Sequence, residues 1–254
     1  MSKLQAILFD VDGTLADTER DGHRVAFNAA FRAAGLDWDW DVALYGELLA
    51  VTGGKERMKH YAQRYRPQAL KEPGFDALVA KLHADKTERY TALLEQGGIP
   101  LRPGVERLLK EARDAGVRLA IATTTTPVNV TALLRSTLGE DGESWFELIA
   151  AGDIVPKKKP AADIYVYSLE RMGLKPDACI AIEDSANGVR SATDAGLATL
   201  VTVNAYTEDD DVSDAALVID QLGEPGTPFT LLQGRDTDKR YVDVALLEQL
   251  LAGE

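Results

Sequence analysis

The chain has 254 residues, 45% of them hydrophobic, which is enough for one sizeable domain or for a domain with a smaller companion. Its 41 acidic against 28 basic residues give a net charge of −13, which argues against binding to nucleic acid or anionic membrane through bulk electrostatics. One cysteine, Cys179, leaves no internal disulfide, and the absence of any span-length apolar stretch or signal-peptide pattern leads to the expectation of a cytoplasmic protein.

The first element is the apolar run Ala6-Ile7-Leu8-Phe9, which reads as a buried strand and ends in Asp10-Val11-Asp12-Gly13-Thr14. Residues i and i+2 of an extended chain point the same way, so Asp10 and Asp12 can serve one site, while Gly13 allows a tight turn that aims backbone N–H groups inward. Two carboxylates beside a phosphate repel it unless a cation intervenes, and hard oxygen ligands with a phosphate partner favour Mg2+. A calcium loop of the EF-hand type is excluded, because its sixth and twelfth positions counted from Asp10 are Leu15 and Asp21.

From Ala16 to about Gln96 the sequence reads as successive helices: Glu19 to Ala34 with Gly35 as a stop, Val42 to Leu49, Lys55 to Tyr65 before Pro67, and Phe75 to Leu94 before Gly97-Gly98. From Pro103 helices alternate with short apolar runs. The strands are Arg118 to Ala122, Glu147 to Ala150, Cys179 to Ile182, Thr199 to Val203 and Leu217 to Ile219, and a last helix lies near Asp243 to Leu251. Such alternation implies an α/β fold with a doubly wound, parallel, Rossmann-like sheet and right-handed crossovers. Residues 1–15 and 97–254 then form the core, and residues 16–96 an all-helical insertion. The Gly/Pro-rich stretch from Gly223 to Arg240 carries no readable pattern.

Parallel strands converge at their carboxyl ends, so the residues just beyond them should share one edge. After Ala122 come Thr123-Thr124-Thr125-Thr126, suited equally to phosphate oxygens and to capping a helix. After Ala150 comes a loop ending in Lys157-Lys158-Lys159-Pro160, in which the proline can fix one ammonium over the edge. After Ile182 come Glu183-Asp184-Ser185, which can supply further oxygen ligands or merely start a helix.

The ordered set of Asp-x-Asp-Gly-Thr, a Thr, a Lys-Pro and an acidic pair resembles the four signatures of the haloacid dehalogenase superfamily. The helical insertion after the first signature is similar to its C1 cap arrangement. The resemblance implies that Asp10 is a nucleophile and metal ligand, and that Asp12 supplies a backbone-carbonyl ligand and the proton transfers. It implies that Thr123 and Lys159 hold the phosphoryl group, that Asp184 ligates Mg2+, and that Glu183 is a weaker ligand candidate. An acid at position 12 disfavours the dehalogenase and transport ATPase branches.

Asp17-Thr18-Glu19-Arg20, Leu44-Tyr45-Gly46-Glu47-Leu48-Leu49, Gly53-Gly54-Lys55-Glu56-Arg57 and Leu101-Arg102-Pro103-Gly104-Val105 narrow the resemblance to the CbbY-type phosphatases. That family implies xylulose-1,5-bisphosphate as substrate, with the phosphosugar mutase and an idle sugar-phosphate sensor as alternatives. The phosphate that stays on the sugar needs its own cations. Lys55 and Arg57, at a helix start behind Gly53 and Gly54, are the first candidates, although solvated basic residues are the plainer reading. Thr124 is a further candidate for substrate contact, and Glu19 can accept from sugar hydroxyls. Lys86 and Tyr90, one turn apart, are cleft candidates, although such a pair is commoner on an open helix face. Asp21-Gly22 makes the Glu19 to His23 stretch one residue longer than in many C1-capped relatives, which leaves His23 divided between helix packing and a catalytic part. The partner expected is a small sugar phosphate, for a monomeric protein.

Overall fold

Ala6–Phe9 forms β1, buried at every position as a strand covered on both faces must be. The computed structural model describes residues 4–253; residues 1–3 and 254, the outer limits of the expected core segments, lie outside the described residues. The other strands are β2 (Arg118–Ala122), β3 (Leu148–Ala150), β4 (Cys179–Glu183), β5 (Ala198–Thr202), β6 (Leu217–Ile219) and β7 (Leu231–Gly234). They form one sheet in the order β3-β2-β1-β4-β5-β6-β7. Every pairing is parallel except that of β6 with β7. The tail therefore corrects the reading of an unpatterned loop from Gly223 to Arg240: β7 is an antiparallel edge strand, largely exposed, with Leu232 open to solvent.

Helices cover both faces of the sheet. Ile7 and Phe9 join Leu119, Ile121, Ile180 and Ile182 against α5 (Val105–Asp114), α6 (Pro127–Leu138) and α9 (Val244–Ala252). Ala6 and Leu8 join Ala120, Ala122, Cys179 and Ala181 against α7 (Asp163–Met172) and α8 (Ala186–Asp194). The second face is lined mainly by small residues, which admits the bulk of Tyr165, Leu169 and Met172 from α7. Cys179 is buried there, as its apolar neighbours suggest.

Between β1 and α5 the chain is helical throughout its regular elements: a π-helix at Glu19–His23, then α1 (Arg24–Ala33), α2 (Val42–Leu48), α3 (Gly54–Tyr65) and α4 (Phe75–Glu95), with a short 3-10 turn at Ala69–Lys71. These helices surround their own cluster of Phe27, Phe31, Trp38, Trp40, Tyr45 and Tyr61. Trp40 is fully buried, its ring centroid 4.8 Å from those of Phe27 and Phe31, and both its backbone groups bond the Asn28 side chain at 2.8 Å. Ala26, Tyr90 and Leu94 from α1 and α4 instead join the large cluster of the sheet, so the insertion is rooted in the core at its base. No helix among the described residues is long and apolar enough to cross a membrane.

Replacing Trp40 by alanine removes the centre of the aromatic cluster, and the expected loss is about 3–5 kcal/mol of unfolding free energy. Urea unfolding followed by circular dichroism checks this against the native chain.

Candidate active site

The strand order reverses at β1: the chain runs outward through β2 and β3, then crosses to β4 on the other side. In such sheets the crevice beyond the strand ends lies at the reversal. Phe9 is level with Ile182, so Asp10 and Glu183 leave adjacent strands side by side, and Asp10 N–H donates to the Ile182 carbonyl at 3.0 Å. On the other flank Phe9 is level with Ile121, which sets Thr123 just beyond β2, where its N–H donates to the Ala150 carbonyl at 2.9 Å.

Asp10, Glu183 and Asp184 are buried, and one carboxylate oxygen of each lies within 4.8 Å of the others. The Lys159 ammonium reaches this group from the loop after β3, 2.6 Å from Asp10 Oδ1 and 2.7 Å from Glu183 Oε1. The Tyr165 hydroxyl also donates to Glu183 Oε1, and Asn204 Nδ2 donates to Asp184 Oδ2 at 2.7 Å. Gly188 in the first turn of α8 is required here, since the Glu183 carboxyl occupies the space a Cβ at that position would need.

Burial pushes the Asp10 carboxyl up to about 7, against the pull of Lys159 and with the push of Glu183 and Asp12. Burial, then Asp10 and Glu183, hold Asp184 well above the carboxylate range. Burial opposes the charge on Lys159, but the two carboxylates beside it outweigh that and raise its amine. Ionised together, the three carboxylates would leave two negative charges beyond the one ammonium, a load that the raised Asp10 and Asp184 carboxyls relieve by holding protons. An oxygen-rich donor set with that imbalance fits a hard divalent cation.

Asp12 is turned to a second set of partners. Its Oδ1 accepts from the Thr18 hydroxyl and lies 2.9 Å from His23 Nε2, and His23 Nδ1 lies 2.7 Å from the Lys86 ammonium. An ammonium only donates, so Nδ1 accepts, and Nε2 carries the proton given to Asp12. Burial works to raise the Asp12 carboxyl, yet His23, Thr18 and Lys86 together hold it well below its usual range. Burial pushes the Lys86 amine itself down to about 8. Glu19–His23 forms the π-helix, a wider turn at the start of the helical run, and its last residue, His23, faces Asp12. Lys86 and Tyr90 are both buried rather than on an open helix face, with the Tyr90 ring centroid 4.0 Å from that of His23.

A cavity of about 400 Å3 opens over the strand ends, lined by Asp10, Thr123, Lys159 and Asp184 and also by Glu19 and Arg57 of the insertion. Arg57 is buried; its Nη1 donates to the Tyr45 hydroxyl at 2.8 Å and lies 3.7 Å from Glu19, to which Tyr45 donates in turn. Gly53, Gly54, Lys55 and Lys86 line instead a smaller adjoining space of about 60 Å3, while Asp12, Glu19, Arg57 and Thr124 face both. The Lys55 ammonium is 3.0 Å from Asp153, which also meets Lys158 at 3.1 Å. The sequence reading gave no role to Thr18, Tyr45, Tyr165 or Asn204, because neutral polar partners follow no spacing rule. Only Asn204, two residues beyond a strand end, offered a positional signal.

A family model for haloacid dehalogenase-like hydrolases matches residues 4–196. Protein CbbY of Cupriavidus necator is 48% identical over 226 residues, covering 89% of each chain. The chain belongs to the haloacid dehalogenase-like hydrolases, within the CbbY group. The crystal structure of CbbY from Rhodobacter sphaeroides in complex with phosphate matches with a TM-score of 0.79 at 45% identity, over 86% of this chain and 94% of that one. The D10N mutant of the same protein, in complex with xylulose-1,5-bisphosphate, matches with the same TM-score at 44% identity and the same coverage.

The raised Asp10 and Asp184 carboxyls bind protons in the folded chain that the unfolded chain has released. Their contribution to stability is therefore present at low pH and is lost as pH rises from the ordinary carboxylate range through about 7. A cation held by these carboxylates would compete with those protons. Mg2+ is expected to raise the Tm more at about pH 8 than at about pH 5.5. Thermal melts with Mg2+ or a chelator check this, and equal stabilisation at both pH values contradicts it.

Proposed function

We propose that this hydrolase is a Mg2+-dependent phosphatase that takes one phosphate from a small sugar bisphosphate, xylulose-1,5-bisphosphate, with residues 16–96 acting as a cap over the core. The reading is carried by one observation: a single cavity is lined both by Asp10, Thr123 and Lys159 and by the buried Arg57 guanidinium with Glu19. A monophosphate needs only the first group; a bisphosphate needs a second cationic contact for the phosphate it keeps. The xylulose-1,5-bisphosphate complex of the Rhodobacter sphaeroides relative supports the choice of sugar.

The Asp10 carboxylate attacks phosphorus in line with the sugar oxygen, forming an aspartyl-phosphate as the P–O bond to the sugar breaks. Lys159 offsets charge on the phosphoryl oxygens, and the Thr123 hydroxyl donates to one of them. Mg2+, held by Asp10, Asp184 and the Asp12 backbone carbonyl with Glu183 behind them, would neutralise the remaining negative charge around the phosphoryl group.

Asp12 gives its proton to the departing sugar oxygen and then takes one from the water that hydrolyses the acyl phosphate. On His23 and Thr18 the Asp12 carboxyl is ionised, the form needed for the second step. Turning towards the ester removes both contacts and leaves burial to raise its pKa for the first. His23 and Lys86 thus serve as positioning residues for Asp12. Arg57 and Glu19 bind the far end of the substrate, while Lys55, Gly53, Gly54 and Thr124 shape the adjoining wall.

A screen of phosphate release over sugar mono- and bisphosphates, with and without Mg2+, tests the proposal. Mg2+-dependent release from xylulose-1,5-bisphosphate without any sugar acceptor is expected. Turnover confined to glucose 1-phosphate with a bisphosphate activator would overturn it in favour of a mutase. Arg57→Gln is expected to raise KM for the bisphosphate about tenfold or more, with a smaller effect on a monophosphate.

A further inference from the structure

Arg102 lies where the chain returns from the helical insertion to the core. Its backbone N–H donates to the Leu15 carbonyl at 2.8 Å, and Leu101 beside it pairs with Ala16, so the two crossings run together. The side chain is turned inward and is 8% exposed, a rare state for a guanidinium without a dedicated carboxylate. Asp17, 3.3 Å from Nε, is largely in solvent and does little to offset it. The charge is satisfied by oxygens at three strand ends. Nη1 donates to the Gly13 carbonyl, to the Thr202 carbonyl at 2.9 Å and to Thr202 Oγ1 at 3.1 Å. Nη2 donates to the Val203 carbonyl at 2.6 Å and to the Asp220 carbonyl at 2.8 Å.

Two of those oxygens belong to segments that pack on Asp184. Gly13 has φ of +85°, and a Cβ there would run into the Asp184 carboxyl and the Asn204 amide. Val203 precedes Asn204, whose Nδ2 donates to Asp184 Oδ2 at 2.7 Å. Asn204 is itself held, its N–H donating to Thr207 Oγ1 at 3.0 Å and its Oδ1 accepting from Tyr206 N–H at 2.9 Å. We propose that Arg102 is a positioning residue for the metal-ligand side of the site, fixing Gly13 and the Val203–Asn204 junction so that they aim the Asp184 carboxylate. The proposal rests on the reading of Asp10 and Asp184 as cation ligands. A lysine keeps the charge but lacks the planar fork needed to bond these carbonyls together.

Calorimetric titration of the full chain with Mg2+ alone, without substrate, tests the proposal in the wild type, Arg102→Lys and Asn204→Ala. Both variants are expected to melt cooperatively yet bind Mg2+ roughly tenfold more weakly, the scale typical of lost support for a metal ligand. The Mg2+ concentration for half-maximal phosphate release should rise in parallel, while substrate KM at saturating Mg2+ changes less than about twofold. Should Arg102→Lys fail to fold, Thr202→Val, which removes one oxygen held by Arg102 without touching Asp184, carries the same readout in smaller measure. Wild-type Mg2+ affinity in a variant that merely melts lower overturns the proposal alone. Absence of Mg2+ binding by the wild-type chain overturns the metal-site reading and this inference with it.

Discussion

One buried ammonium among three buried carboxylates is the constraint on which the rest of the structure depends. Lys159 bonds Asp10 and Glu183, and Asp184 stands close by, bonded to the Asn204 amide. Such an arrangement is costly to bury and persists only if the surrounding structure holds it and a ligand completes it. The covered sheet, the parallel strand ends and the loop that carries Lys159 all serve to bring these groups together at the reversal of strand order. An anionic substrate reaches a chain of net charge −13 only through such local cations.

The two aspartates of the first strand end are held by separate environments, and on the proposed mechanism this separation lets one motif do two jobs. Asp10 shares the Lys159 cluster, where burial raises its carboxyl. Asp12, two residues on, leans on Thr18 and His23 and is held ionised. His23 comes from the insertion and Lys86 from its longest helix, so the protonation of Asp12 is coupled to the insertion rather than to the sheet. Tyr45, Arg57 and Glu19 form a second network within the insertion, and Arg57 and Glu19 line the cavity over the strand ends. On the proposed function, the core would supply the reaction and the insertion both the proton balance and the grip on the sugar.

The strands and the order of the chemistry-bearing groups were legible in the sequence because fully buried parallel strands read as continuous apolar runs and their ends carry charge. Asp10, Thr123, Lys159, Glu183 and Asp184 each follow such a run or lie in the loop just after it. β7 was not legible, since Leu231-Leu232-Gln233-Gly234 is a short exposed edge with neither alternation nor an apolar run. Burial of Lys86 and Tyr90 was hidden for a related reason: a turn of helix rich in charge looks solvated until the aromatic rings of Phe27 and Tyr90 are seen on either side of the amine. Lys55 and Arg57 looked equivalent at a helix start. Their two-residue offset turns Arg57 inward onto Tyr45 and leaves Lys55 paired with Asp153.

Attack by Asp10 on phosphorus is the central claim, and rapid quenching tests it most directly. The chain is mixed with Mg2+ and a bisphosphate carrying labelled phosphate, quenched in acid within a single turnover, and digested for peptide mapping. The account predicts label on the peptide containing Asp10, formed before free phosphate appears, and its loss in Asp10→Asn together with turnover, by about four orders of magnitude or more. Free phosphate released at full rate with no labelled protein at any time would contradict it.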